Sequence, residues 1–222
     1  MAASTNISTA AKEKVALALA EAVKDNSRGV QANAFLTLEW ALGADIDAAA
    51  KEKVALALAR ALSDVQEDVR KWAAKSLAWF VLKSDFADLG RPAQEKVALG
   101  LGEALKDASE EVRKSAALGL KWGLLDLADI GRPAQEKVAL ALAEALKDDS
   151  ESVRYHASEP LRRTMAASTN ISTAAKEKVA LALAEAVKDN SRGVQANAFL
   201  TLEWALGADI DAAAKEKVAL AL

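Results

Sequence analysis

The 222-residue sequence contains no cysteine, which excludes disulfides and thiolate metal sites and leaves the redox compartment unconstrained. It contains one histidine, His156, so a metal centre of several His ligands is impossible. No metal and no cofactor is expected. Three prolines and ten glycines are too few for a collagen-like or low-complexity chain. Long apolar runs are also missing: Val15–Ala20 and Leu77–Leu82 fall far short of a membrane span. Met1 leads into Ala-Ala-Ser-Thr-Asn, without the basic flank and apolar run of a secretory leader, so a cytoplasmic location is expected. The formal net charge of −3 gives no strong general attraction to nucleic acid or to anionic membranes.

What the chain has in abundance is one repeated stretch, seen as Pro133-Ala-Gln-Glu-Lys-Val-Ala-Leu-Ala-Leu-Ala-Glu-Ala-Leu-Lys-Asp148. Aligning its copies on the Val of Glu-Lys-Val gives Val15, Val54, Val97, Val138, Val179 and Val218, spaced by 39, 43, 41, 41 and 39 residues. A period near 40 with two helices per unit belongs to the α-solenoid class. The expected fold is all-α, a right-handed solenoid forming one array over residues 1–222. Its units lie near 9–47, 48–91, 92–132, 133–172 and 173–211, with a partial unit at 212–222.

A second repeat lies over the first. Residues 165–222 copy residues 1–58 without a difference, whereas the units inside the 164-residue block have drifted apart. The copy is therefore either a very recent duplication or a built one. The expectation is an engineered sequence or a fragment of a longer tandem array.

The third unit shows the local logic. Pro92 suits the first helical position, where its missing N–H has no partner to lose, and helix A runs from about Pro92 to Lys106. Val97, Leu101 and Leu105 share one face, while Leu99 points the opposite way. A helix apolar on two sides needs cover on two sides, which a stack supplies and an isolated helix pair does not. Ser109 caps helix B, with Glu110 and Glu111 at the positive end of its dipole, and the helix extends to about Leu125. Its inner face is Val112, Ala116, Gly119 and Gly123. The glycines cost about 1 kcal/mol each against Ala, tolerable where a neighbouring backbone comes close. In the fourth unit Pro160 falls inside helix B and predicts a bend near His156–Leu161, the helix resuming towards Met165.

The pairs Asp64/Arg70, Asp107/Arg113 and Asp148/Arg154 recur at a spacing of six, each followed by an Ala-rich second helix. This resembles the HEAT repeat, particularly short bacterial HEAT-like repeats and artificial scaffolds built from them. The resemblance covers essentially the whole chain and says little about function. It implies an Asp–Arg ladder between successive repeats and second helices lining a concave, ligand-facing side. Asp25 and Asp189 are followed by Gln31 and Gln195 instead, which puts their part of the ladder in doubt.

Catalytic chemistry finds little support. A Ser-His-Asp arrangement needs His156, which sits beside Pro160 with no strand-turn-helix elbow, so it reads as a surface or groove histidine. Gly100-Leu-Gly102 lies in mid-helix and is no dinucleotide fingerprint. Asn6-Ile-Ser8 and Asn170-Ile-Ser172 read as loop and cap residues, not glycosylation sites. Trp40, Trp79, Trp122 and Trp204 recur at one helix-B position and read as repeat-to-repeat packing.

Helix-B positions that vary between units are the candidate site. Two, three, six and nine residues beyond the opening Val, they are expected to point outward. The proposed protein-binding groove comprises Lys71, Trp72 and Lys75; Lys114, Leu118 and Lys121; and Tyr155, His156, Glu159 and Arg162. This mixture of cations, aromatics and Leu suits a protein partner. The chain is thus expected to be a non-enzymatic scaffold that binds a protein or peptide, or itself end to end. Neither a membrane nor a small-molecule substrate is indicated. The alternative is a nucleic-acid-binding module that uses the basic residues of helix B, opposed by the acidic total, Glu39 and Glu159.

Overall fold

The computed structural model describes residues 8–25, 27, 29–31, 33, 34, 37, 47–82, 86–123, 130–166, 171–207 and 212–221. Among these the chain forms α1 (Thr9–Ala22), α2 (Ala48–Ala61), α3 (Glu67–Leu82), α4 (Arg91–Ala104), α5 (Glu110–Gly123), α6 (Arg132–Ala145), α7 (Glu151–Ala166), α8 (Thr173–Ala186), α9 (Arg192–Gly207) and α10 (Ala212–Ala221). No strand occurs among the described residues.

The helices pack in two layers. One is the succession α1, α2, α4, α6, α8 and α10, each against the next; the other is α3, α5, α7 and α9. Across the layers α2 packs on α3, α4 on α5, α6 on α7 and α8 on α9. These are the A and B helices of the repeat, stacked as an α-solenoid.

The core lies between the layers and between neighbouring units. In α4, Val97, Leu101 and Leu105 are buried, while Leu99 is half-buried on the opposite side, so both faces are covered as the pattern requires. Gly119 explains its own presence: a Cβ there would lie 3.3 Å from the Ala78 Cα and 3.2 Å from a Leu101 methyl. The missing side chain lets α5 sit directly on α3. The side chain of Gly123 lies outside the described set.

The helix ends differ from the expectation in small ways. Gly90 and Gly131 are the N-caps of α4 and α6, so Pro92 and Pro133 take the second helical position. Ser8 and Ser172 cap α1 and α8, their hydroxyls accepting the Ala11 and Ala175 N–H groups at 3.3 Å each. Helix α7 is continuous from Glu151 to Ala166 with Pro160 inside it, so the proline does not break the helix. The residues 38–46, 124–129 and 167–170, including most of the inter-unit returns read from the sequence, lie outside the described residues.

Candidate functional site

Each A–B turn is built by its own aspartate. The Oδ1 atoms of Asp25, Asp64, Asp107, Asp148 and Asp189 accept the N–H two residues on, at 2.7–2.9 Å. Such a side-chain turn fixes the carboxylate in space. The arginine six residues on, in the first turn of the B helix, then bridges two units. Arg70 Nη1 donates to the Asp64 carbonyl at 2.9 Å, while Nε and Nη2 donate to the next unit's Asp107 at 2.6 and 3.3 Å. Arg113 binds Asp148 at 2.6 and 3.1 Å, and Arg154 binds Asp189 at the same distances and reaches the Asn190 Oδ1 at 2.8 Å. These are fork-on-fork, charge-assisted bonds with fixed geometry.

Charge follows the geometry. Burial acts to raise the Asp107 and Asp189 carboxyls, but the arginine hydrogen bonds, the turn N–H and the guanidinium charges outweigh it and hold both below the usual carboxylate range. The hydrogen bonds to aspartate push Arg70, Arg113 and Arg154 further up. Gln31 and Gln195 keep only half of the device: each donates to its own turn carbonyl, Asp25 or Asp189, at 2.6 Å. The Gln31 Oε1 is buried without a partner.

The A layer carries a second ladder that the sequence reading missed. Glu52, Glu95 and Glu136 accept the backbone N–H of Gly90, Gly131 and Ser172, the N-caps of the following A helices, at 3.1, 2.6 and 3.1 Å. Each glutamate lies at the positive end of the next unit's helix, where a carboxylate is favoured. The signal was present as the Glu before Lys-Val in every unit, but its Lys-rich flanks read as a solvated face.

The ten candidate groove residues fall mainly into two clusters on the B layer. Around α3 and α5, Lys71 pairs with Glu67 at 2.7 Å. The Lys75 ammonium lies 5.6 Å from the Trp72 ring centroid and 3.3 Å from Glu111, which also lies 3.9 Å from Lys114. Across α5 and α7, Lys121 pairs with Glu159 at 2.7 Å and stands 5.4 Å from the Tyr155 ring centroid. Tyr155 meets His156 edge-on at 5.3 Å. Burial, then the charges of Lys121 and Lys114, lower the His156 pKa, so the ring is neutral near pH 7. Its Nδ1 is buried with no hydrogen-bond partner. Leu118 is half-buried and Arg162 is exposed.

One premise of the groove assignment needs correction. Variable positions do not all point outward: Ala78 and Ser115 are buried, because the neighbouring B helix covers them. Variable residues also serve packing between units. Lys121–Glu159 joins α5 to α7, and a Cβ on Gly193 would lie 2.9 Å from the Tyr155 ring, so Tyr155 seats α9. Trp79 is half-buried; Trp40, Trp122 and Trp204 lie outside the described side chains.

Among the described residues no group of three His, Cys, Asp or Glu side chains is placed to hold a metal ion, and no helix is long and apolar enough to cross a membrane.

No protein-family model matches the chain, and no curated protein matches it. Solved structures do. An engineered protein aligns with TM-score 0.66 and 20% identity, over 93% of this chain and 86% of the other. A designed armadillo repeat protein in complex with the peptide (KR)4 aligns with TM-score 0.63 and 20% identity, over 92% and 87%. Cex1p aligns with TM-score 0.59 and 15% identity, over 96% of this chain but 40% of its own length. At such identities the likeness is one of fold, an all-α solenoid of stacked helical repeats.

Proposed function

We propose that the chain is a non-enzymatic scaffold that binds an extended polypeptide across its B helices. The observation that carries this reading is the alignment of aromatic and cationic side chains on successive B helices: Trp72 with Lys75 on α3, Lys114 and Lys121 on α5, Tyr155 on α7. Packed helices lie about 8–10 Å apart, and an extended chain advances about 3.3 Å per residue, so each repeat faces roughly three residues of such a partner. The structural neighbours include designed armadillo repeat proteins for modular peptide recognition, which supports the same reading by analogy of fold. The undrifted copy of residues 1–58 at 165–222 supports an engineered origin, or excision from a longer tandem array, and a single array over 1–222. A cytoplasmic setting goes with this reading.

The nucleic-acid alternative loses ground for a physical reason. Of the B-helix cations, Arg70, Arg113 and Arg154 are committed to aspartates, and Lys71, Lys75 and Lys121 face glutamates. Counterion release needs cations that phosphates can claim. Self-association is a second reading, favoured by Phe199 and Leu200, which are 54% and 50% exposed on α9.

The test is selection from a displayed random-peptide library, followed by affinity measurement on one selected peptide. Trp72→Ala and Tyr155→Ala should each weaken it about tenfold or more, the behaviour of aromatic anchors. Glu144→Ala, exposed on α6, should not. Failure to select any peptide, or equal loss from Glu144→Ala, refutes the assignment.

A further inference from the structure

The chain holds the same 58 residues in two settings, and the two settings differ in what covers them. In the C-terminal copy Val179 and Val194 are 0% exposed; their counterparts Val15 and Val30 are 45% and 41% exposed. Thr201 is buried, whereas Thr37 is exposed. What covers the C-terminal copy is the unit formed by α6 and α7, and the contacts are specific. Arg154 forks onto Asp189, Glu136 accepts the Ser172 N–H, Asn197 Nδ2 donates to Ser158 Oγ at 3.0 Å, and the Tyr155 ring lies over Gly193. Because residues 1–58 and 165–222 are identical, the N-terminal copy carries each of the matching groups, Asp25, Ser8, Asn33 and Gly29, beside the same two valines.

We propose that the face of α6 and α7 is a docking surface for the N-terminal copy of a second molecule of this chain, which takes it in exchange for the resident residues 165–222. The proposal gives the self-association reading a defined interface and rests on that reading, not on peptide binding. Complementarity need not be assumed, because an identical segment already occupies the seat. The exchange has an added gain. At the position of Phe199, the preceding units place Ala74, Ala117 and Ser158, all 0% exposed beneath the next B helix. Phe199 itself is 54% exposed. An incoming N-terminal copy brings α2 and α3 with it, so the B layer continues from one molecule into the next. Exchange of an identical element between protomers is a low-cost route to association. The resident copy competes at the effective concentration of a tethered segment, of order mM, so the unmodified chain stays closed in dilute solution.

The experiment places one substitution at either of two identical sites in the full chain and measures molar mass by light scattering over a wide concentration range. Val179→Asp inserts a charge into the buried face of the resident copy and leaves the N-terminal copy intact. Its mass should rise with concentration to at least twice that of one chain. Val15→Asp spoils the incoming copy and should remain a single chain, as should Val15→Asp/Val179→Asp. Asp189→Asn removes the Arg154 rung without placing a charge in the core. It should show the same ordering at higher concentration, and it provides the test if Val179→Asp unfolds more than its own copy. The proposal is overturned if neither Val179→Asp nor Asp189→Asn associates. It is also overturned if the double variant associates as strongly as Val179→Asp, since stacking of ends or exposed apolar surface would then explain the mass. Peptide affinity at the B face is expected to survive Asp189→Asn, so the two readings fail separately.

Discussion

Replacing Arg113 by Gln converts one bridging arginine into the residue that units one and five already carry. The Gln amide keeps the bond to the turn carbonyl, as Gln31 does to Asp25 at 2.6 Å. It gives up the two bonds from Nε and Nη2 to Asp148, at 2.6 and 3.1 Å. The pair is largely sheltered, with side chains 18% and 9% exposed. Asp148 is left with the Ser150 N–H at 2.9 Å and no opposing fork. Hydrogen bonds to charged groups contribute about 1.5–3 kcal/mol, and stranding one member of a fully buried pair costs about 3–5 kcal/mol. Partial exposure puts the expected loss near the lower range, about 1.5–3 kcal/mol. Repeat arrays need not unfold in one step, so native-state amide exchange is the suitable assay. Protection should fall in α5 and α7, on both sides of the broken rung, more than in α2. A double-mutant cycle with Asp148→Asn should show coupling of about 1 kcal/mol or more. A loss below about 0.5 kcal/mol, or strict additivity, would refute the claim that these bonds join the units.

Identical residues give a cleaner test of burial: Val179→Ala should cost about 1.5–3 kcal/mol and Val15→Ala less than half of that, read by chemical denaturation of the two single variants. Gly131→Ala keeps an allowed backbone, since φ is −63°, but its Cβ would lie 2.7 Å from the Glu95 Oε1. Glu95 must then swing off the Gly131 N–H, for a loss of about 0.5–2 kcal/mol, the cost of a helix cap, which Glu95→Ala should reproduce. Acid should destabilise the fold by two routes with one sign. Asp107 and Asp189 bind protons less readily folded than unfolded, so their contribution is complete above the usual aspartate range and is lost as pH falls through it. His156 is likewise lowered, so stability begins to fall as pH drops below the ordinary imidazole value near 6.5. His156→Gln should flatten that upper part of the curve in a pH series of unfolding midpoints and leave the carboxylate part unchanged.

The period of about 40 residues, the two-sided apolar pattern of helix A and the six-residue Asp–Arg spacing made the stacked architecture legible, because each is a local record of a contact repeated in every unit. The arginine ladder follows from that spacing, and so does its lapse at Gln31 and Gln195. The glutamate ladder was not legible. Its acceptor side chain lies between lysines, and its donor is a backbone N–H that has no letter in the sequence. The candidate site was legible only in part. Variation between units marked Trp72, Lys75, Lys121 and Tyr155 correctly as a distinct strip, but it could not separate residues that face solvent from those that seat the next helix. The limit is physical, as the duplicated segment shows: Val15 and Val179 have the same neighbours in sequence and opposite burial, because burial belongs to the stack.

The most direct test of the central functional claim is a map of amide chemical-shift changes on titrating the isotopically labelled chain with one selected peptide. The account predicts a continuous track along α3, α5 and α7 that includes Trp72, Lys121 and Tyr155, with little change on α2, α4 and α6. A footprint confined to the A helices, or scattered shifts without a track, would contradict it.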